Sequence, residues 1–185
     1  MRSVILVILL SVILDETIGF DRNITIANLT GCVETRLDDK NNNKWNVAIS
    51  TLKNNNPGPN ESLRMRFYAI GYDFYIYFKK SNEIRYPIAA YINGDDRKWC
   101  KIQSFTDGKK DLTKVGCSSL TNAFDYTDFT LVITKNGVIK FFEGKSSIPF
   151  ISADVYYNIP FTHLGFGKYP SEKQDTRFFF DCPWN

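Results

Sequence analysis

Asn93, Asp95, Asp96 and Trp99 stand close together in this chain, and their types could hold a sugar. An indole offers a flat apolar face, and amide and carboxylate groups at its edge exchange hydrogen bonds with hydroxyls. Trp45, just after Asn41, Asn42 and Asn43, repeats the combination. The same residues also read as core tryptophans beside solvated turns, because Asn, Asp and Gly are the usual turn formers and buried tryptophan is the commoner outcome. Tyr75 and Tyr77, two positions apart, would share one face of a strand. They could present an aromatic surface to a partner or an apolar ligand, or be covered by a second sheet.

Catalytic chemistry is harder to assemble. His163 is the only histidine, and Phe161 and Leu164 around it suggest a strand position with a structural role. A Ser-His-Asp arrangement would have to draw on that one residue, and no Gly-x-Ser-x-Gly elbow presents a serine. Asp95 with Asp96, and Asp107 with Asp111, are paired carboxylates of the kind glycosidases use as acid and base. Both pairs fall in turn-like segments that favour Asp anyway. A calcium loop at 107–111 is spoiled by Lys109 and Lys110, and a zinc site has neither Cys-x-x-Cys nor a second histidine. These residues call for no metal and no cofactor. Nucleic acid is not an expected partner either, since the net charge is only +3 and the basic residues are dispersed.

The compartment follows from the N-terminus and the cysteines. Arg2, the apolar stretch from Val4 to Leu14 and the small residues ending at Gly19 predict an export signal over residues 1–19. That stretch is about half of the roughly 20 residues a bilayer-spanning helix needs, so no membrane span is expected. Residues 20–185 then form one secreted domain. Four cysteines in an oxidising compartment predict two disulfides. Three pairings are possible; Cys100 with Cys117, and Cys32 with Cys182, are the expected ones, closing a short loop and tying the first strand to the last. Asn23, Asn28 and Asn60 each open an acceptor sequon for N-glycosylation.

The elements that must position these groups are strands. Residues 128–144, DFTLVITKNGVIKFFEG, carry the strongest hairpin signal, an Asn-Gly between two β-forming runs. A two-residue turn would set Ile133 against Lys140. A three-residue turn of Lys135, Asn136 and left-handed Gly137 instead pairs Ile133 with Ile139, Leu131 with Phe141 and Phe129 with Glu143. The second register buries all the apolar residues on one side, so it is the one expected. Further strands are predicted at 33–37, 45–51, 63–69, 74–78, 86–92, 98–105 and 176–181, with short apolar groups at 149–151 and 160–167. The stretch 106–121 reads as polar and irregular, and no window keeps a helical period. The prediction is an all-β antiparallel sandwich or jelly-roll of lectin-like type, with a barrel as the alternative.

From Ser62 onward the order of features resembles the farnesoic acid O-methyltransferase-like domain of arthropod proteins. LRMRFYAIGYDFYIYF is similar to its opening strand pair, and YPIAAYINGDDRKWCKIQSF to its extended segment and turn. FTLVITKNGVIKFFEGKSSIPF and IPFTHLGFG are similar to its closing hairpin, Pro-Phe step and strand. Ala89, Ala90 and Tyr91 stand where the family has Gly-Gly-Trp, and DTRFFFDCPW replaces its C-terminal tryptophan motif. The family name implies methyl transfer, yet a methyl-donor site usually needs a parallel α/β sheet with a Gly-rich turn leading into a helix. The one candidate turn, Gly165-Phe166-Gly167, is soon followed by Pro170. The sequence therefore favours a secreted, non-enzymatic binding module with carbohydrate as its ligand class. An effector of saliva, venom or haemolymph working by protein contacts is the alternative, and methyl transfer a second one.

Overall fold

The computed structural model describes residues 29–37, 45–80, 87–93, 98–118, 120–121, 124–155, 161–169 and 175–184. The expected export signal and the acceptors Asn23 and Asn28 lie outside them. The 128–144 hairpin forms in the three-residue register, with β8 (Thr127–Thr134) and β9 (Val138–Glu143) pairing Ile133 with Ile139, Leu131 with Phe141 and Phe129 with Glu143. Gly137 takes φ 89°, the left-handed turn that a Cβ would penalise.

Among the described residues the other strands are β1 (Val33–Leu37), β2 (Trp45–Ala48), β3 (Glu61–Ile70), β4 (Phe74–Lys79), β5 (Ile88–Asn93) and β6 (Trp99–Ser104). They continue with β7 (Lys110–Gly116), β10 (Ile151–Asp154), β11 (His163–Lys168) and β12 (Thr176–Phe180). Two differences from the sequence reading have local causes. The strand expected to reach Thr51 stops at Ala48, where a 3-10 turn over Ile49–Thr51 begins and the Thr51 hydroxyl bonds the Ala48 carbonyl at 2.8 Å. The supposedly irregular 106–121 stretch contains β7. A bulge opposite Ile102 and Gln103 breaks its alternation, so Leu112 and Val115, three apart, both pack against the core.

The strands form two six-stranded antiparallel sheets. The first runs β1-β12-β3-β8-β9-β10 and the second β2-β11-β4-β5-β6-β7. Chain-terminal strands pair with each other, β1 with β12 and β2 with β11, so the hairpins nest as in a jelly-roll, and the barrel alternative does not form. Each sheet turns alternate residues inward. Phe67, Phe129, Phe178 and Phe180 of the first meet Phe74 and Phe166 of the second; Phe166 lies 4.8 Å from Phe178, and Phe74 lies 5.0 Å from Phe178 edge-on. Offset and edge-to-face rings add about 0.5–1.5 kcal/mol per pair beyond area burial.

The first and last described segments are pinned together. The structure joins Cys32 to Cys182 and Cys100 to Cys117. Beside the first, the buried Asp181 carboxylate accepts the backbone N–H groups of Lys53 at 2.8 Å and Asn54 at 2.7 Å, and the Trp184 indole donates to the Asn54 carbonyl at 2.8 Å. Opening a loop of 150 residues should lower stability by about 5 kcal/mol and one of 17 residues by about 3 kcal/mol. Urea denaturation of the Cys32→Ser/Cys182→Ser and Cys100→Ser/Cys117→Ser pairs should therefore rank the terminal bridge as the larger loss.

At the start of β3 the Glu61 carboxylate accepts bonds from Arg64 and from the Gly58 N–H, at 2.8 Å each. The Arg64 bonds hold its pKa below the ordinary 4.5, outweighing partial burial, with Gly58 acting in the same direction. A carboxylate lowered in this way stabilises the fold above its unfolded pKa and loses that contribution as pH falls through the folded value. Glu61→Gln should lower stability by about 1 kcal/mol at neutral pH. The gap to wild type should close below pH 4.5, measured by denaturation at a series of pH values.

Candidate functional site

Because Phe74, Ile76 and Phe78 of β4 point into the core, Tyr75 and Tyr77 point outward. The same parity on β5 sends Ile88, Ala90 and Ile92 inward and Ala89 and Tyr91 outward; on β6, Cys100 and Ile102 go inward and Trp99, Lys101 and Gln103 outward. Register aligns these positions into rows across the outer face of the second sheet. One row runs Asn46, Gly165, Tyr77, Ala89, Gln103 and Asp111. The next runs Gly167, Tyr75, Tyr91, Lys101 and Lys114.

The two glycines of β11 let the tyrosines lie down. A Cβ on Gly165 would fall 1.9 Å from Tyr77 Cζ, and one on Gly167 would fall 2.3 Å from Tyr75 Cζ. Tyr77 is 1% exposed and its hydroxyl donates to Asn46 Oδ1 at 2.6 Å, a bond reaching over the intervening strand. Tyr75 extends the aromatic surface, its ring centroid 5.6 Å from Tyr91 and 6.1 Å from Tyr169, with Tyr91 and Tyr169 themselves 5.6 Å apart. Gly165-Phe166-Gly167 is thus strand, with Phe166 in the core and both glycines under tyrosine rings. It forms no turn that could cradle a cofactor.

Toward β7 the face becomes cationic. Lys101 Nζ stands 5.3 Å from the centroid of Tyr91, and Lys114 Nζ stands 4.7 Å from that of Trp99. In the neighbouring row the Gln103 amide donates to the Asp111 carboxylate. Trp99 itself is 39% exposed on a strand that the Cys100–Cys117 bridge anchors.

The sequence-predicted group divides here. Trp99 reaches the surface, which removes the core reading for that residue. Asn93 does not join it: at φ 56°, which Asn tolerates better than most residues, it ends β5 with a side chain only 1% exposed. Its amide donates to Thr121 Oγ1 at 2.6 Å, and Thr121 in turn donates to the Tyr72 carbonyl at 2.7 Å, so Asn93 fastens the segment after β7 to the β4 side of the sheet. Asp95 and Asp96 lie outside the described residues. Trp45 has its backbone opposite Phe166 on β11. His163 lies opposite Lys79 and Ala48, its Nδ1 2.9 Å from Thr162 Oγ1, with no carboxylate across either strand pair. Among the described residues no group of three or more His, Cys, Asp or Glu side chains could hold a metal ion.

Sequence reasoning missed Tyr91, Lys101, Gln103, Lys114 and Tyr169. Tyr91 carried a signal, since it shares outward parity with Tyr75 once β4 and β5 are paired. Lys114 did not, because the β7 bulge scrambled its parity. Gly165→Ala should lift Tyr77 off the sheet, break its bond to Asn46 and cost about 2 kcal/mol by overpacking. Adding Tyr77→Ala should make the alanine at 165 much less costly, and a double-mutant cycle by thermal unfolding would measure that coupling.

A model of the family described as farnesoic acid O-methyl transferase matches residues 40–184. No curated protein sequence matches the chain. Among solved structures, the Caenorhabditis elegans galectin LEC-6 superposes with a TM-score of 0.49 at 11% identity, covering 85% of this chain and 98% of that one. Sheep galectin-11 in complex with glycerol gives 0.46 at 9% identity, covering 77% and 94%. The CBM2 module of the evolved Dit protein of Lactobacillus casei BL23 phage J-1 gives 0.41 at 8% identity, covering 76% and 69%. With the family match running over most of its length, this chain belongs to the farnesoic acid O-methyltransferase family.

Proposed function

We propose that the protein is a secreted, disulfide-bonded glycoprotein acting as a non-enzymatic binding module, with carbohydrate bound on the outer face of the second sheet. The observation that carries this reading is Trp99, an indole 39% exposed on a strand that the Cys100–Cys117 bridge anchors. A sugar needs an aromatic plane for its C–H face, and the exposed indole offers one. Two disulfides suit an oxidising, extracellular compartment. Asn60, the acceptor within the described residues, is exposed just before β3, so a glycan there would project from the first sheet and leave the tyrosine face clear.

Two other readings have an observation each. The family description favours methyl transfer, but the glycines that would form a donor turn are occupied by Tyr75 and Tyr77, so these residues do not fit a nucleotide-type methyl donor. Purified protein given farnesoic acid and S-adenosylmethionine should yield no methyl ester. Exposed Phe124 and Ile148 favour protein contacts instead, in which case a captured partner would stay bound in the presence of free sugar.

The direct test is a glycan array followed by titration calorimetry on the best ligand. Trp99→Ala should weaken binding about tenfold or more, equivalent to about 1.4 kcal/mol, with an unchanged unfolding midpoint, while Trp99→Phe retains most of the affinity. Equal affinity of wild type and Trp99→Ala would overturn the assignment of this face.

A further inference from the structure

We propose that Asn136, at the tip of the β8–β9 hairpin, is a site of spontaneous deamidation, and that its conversion to isoaspartate loosens the hairpin. The chain has two Asn-Gly steps, Asn93-Gly94 and Asn136-Gly137. Such a step is chemically weak because glycine has no Cβ to keep its backbone nitrogen away from the preceding side chain. The Gly137 nitrogen, on losing its proton to hydroxide, attacks Asn136 Cγ; the Cγ–Nδ2 bond breaks, and the amide nitrogen takes up a proton and leaves as ammonia. Water then opens the cyclic imide at either carbonyl, giving aspartate or isoaspartate.

The two steps share one chemistry and have opposite surroundings. Asn93 is 1% exposed, and its amide nitrogen donates to Thr121 Oγ1 at 2.6 Å and to the Thr121 carbonyl at 3.3 Å. Its leaving group is therefore held, and water is kept from it. Asn136 stands at the surface. There the Thr134 hydroxyl donates to Asn136 Oδ1 at 2.5 Å, which draws electron density from Cγ, the atom under attack. One bond opposes the reaction: the Gly137 N–H donates to the Thr134 carbonyl at 3.0 Å, so attack waits for a local opening of the turn. An exposed hairpin tip opens more often than a buried strand end.

Isoaspartate routes the main chain through the former side chain and so adds one methylene to it. The turn is tied on every side against such a change. The Lys135 N–H bonds the Asn60 carbonyl at 2.9 Å, the Val138 N–H bonds Thr134 Oγ1 at 2.8 Å, and the Val155 N–H bonds the Gly137 carbonyl at 3.1 Å. These bonds fasten the tip to the chain before β3 and after β10, and the pairing of Ile133 with Ile139 begins beside it. Aspartate, formed by the same reaction, keeps the backbone length and adds only a negative charge.

The experiment incubates the purified chain, with both disulfides formed, in mildly alkaline buffer and maps its peptides by mass spectrometry over time. Asn136 should convert at least about tenfold faster than Asn93, while the reduced, denatured chain converts both at similar rates. Asn136→Gln should remove the ammonia released from the tip. Ion exchange then isolates the isoaspartyl form, which should unfold at a lower temperature than Asn136→Asp, a variant with the same charge and no added methylene. Conversion of Asn93 as fast as Asn136 in the folded chain, or none at Asn136 while the denatured chain converts, would overturn the site. Equal unfolding midpoints for the isoaspartyl form and Asn136→Asp would overturn the effect on the hairpin.

Discussion

The structure depends on one constraint, that the apolar faces of two sheets must close on each other with no water between. Phenylalanine does most of this. Phe67, Phe129, Phe178 and Phe180 from one sheet interlock with Phe74 and Phe166 from the other, and all six are buried. Since side chains alternate along a strand, fixing which residues face inward also fixes, one position away, which face outward. The outer tyrosine surface is in this sense the complement of the phenylalanine core: Tyr75 and Tyr77 are outward because Phe74, Ile76 and Phe78 are not.

That complementarity explains an otherwise expensive arrangement. Glycine inside a strand weakens it, yet β11 carries two, at positions 165 and 167. They are the outward positions between Leu164, Phe166 and Lys168, where the neighbouring tyrosine rings come down onto the backbone. The lost strand propensity is offset by ring-on-backbone packing and by the Tyr77 bond to Asn46. What results is a cluster of mutually tilted tyrosine rings held against the sheet, with Tyr77 buried in it.

Charge is distributed on the same logic. On the first sheet Arg66 reaches across to Asp128 in a bidentate pair, which holds its pKa above the ordinary value, and so two outward charges of opposite sign are used up structurally. The second sheet instead sets Lys101 against Lys114. One outward face therefore carries a paired cation and anion, while the other carries two lysines beside aromatic rings, Lys101 over Tyr91 and Lys114 over Trp99.

Much of this was legible in the residues. Alternation gave the sandwich, the Asn-Gly with its flanking pattern gave the hairpin register down to Phe129 against Glu143, and the same patterning placed most strands within a few residues. Local signals suffice there because a one-residue slip would expose a whole apolar set. What sequence could not decide was anything that depended on non-local register: that 110–116 pairs as a strand despite the bulge that breaks its alternation, that Asn93 turns inward to Thr121 while Trp99 stays outside, and that Lys101 comes to face Lys114. Parity along one strand is written in the chain itself, whereas neighbours across strands are chosen only when two sheets have paired and closed.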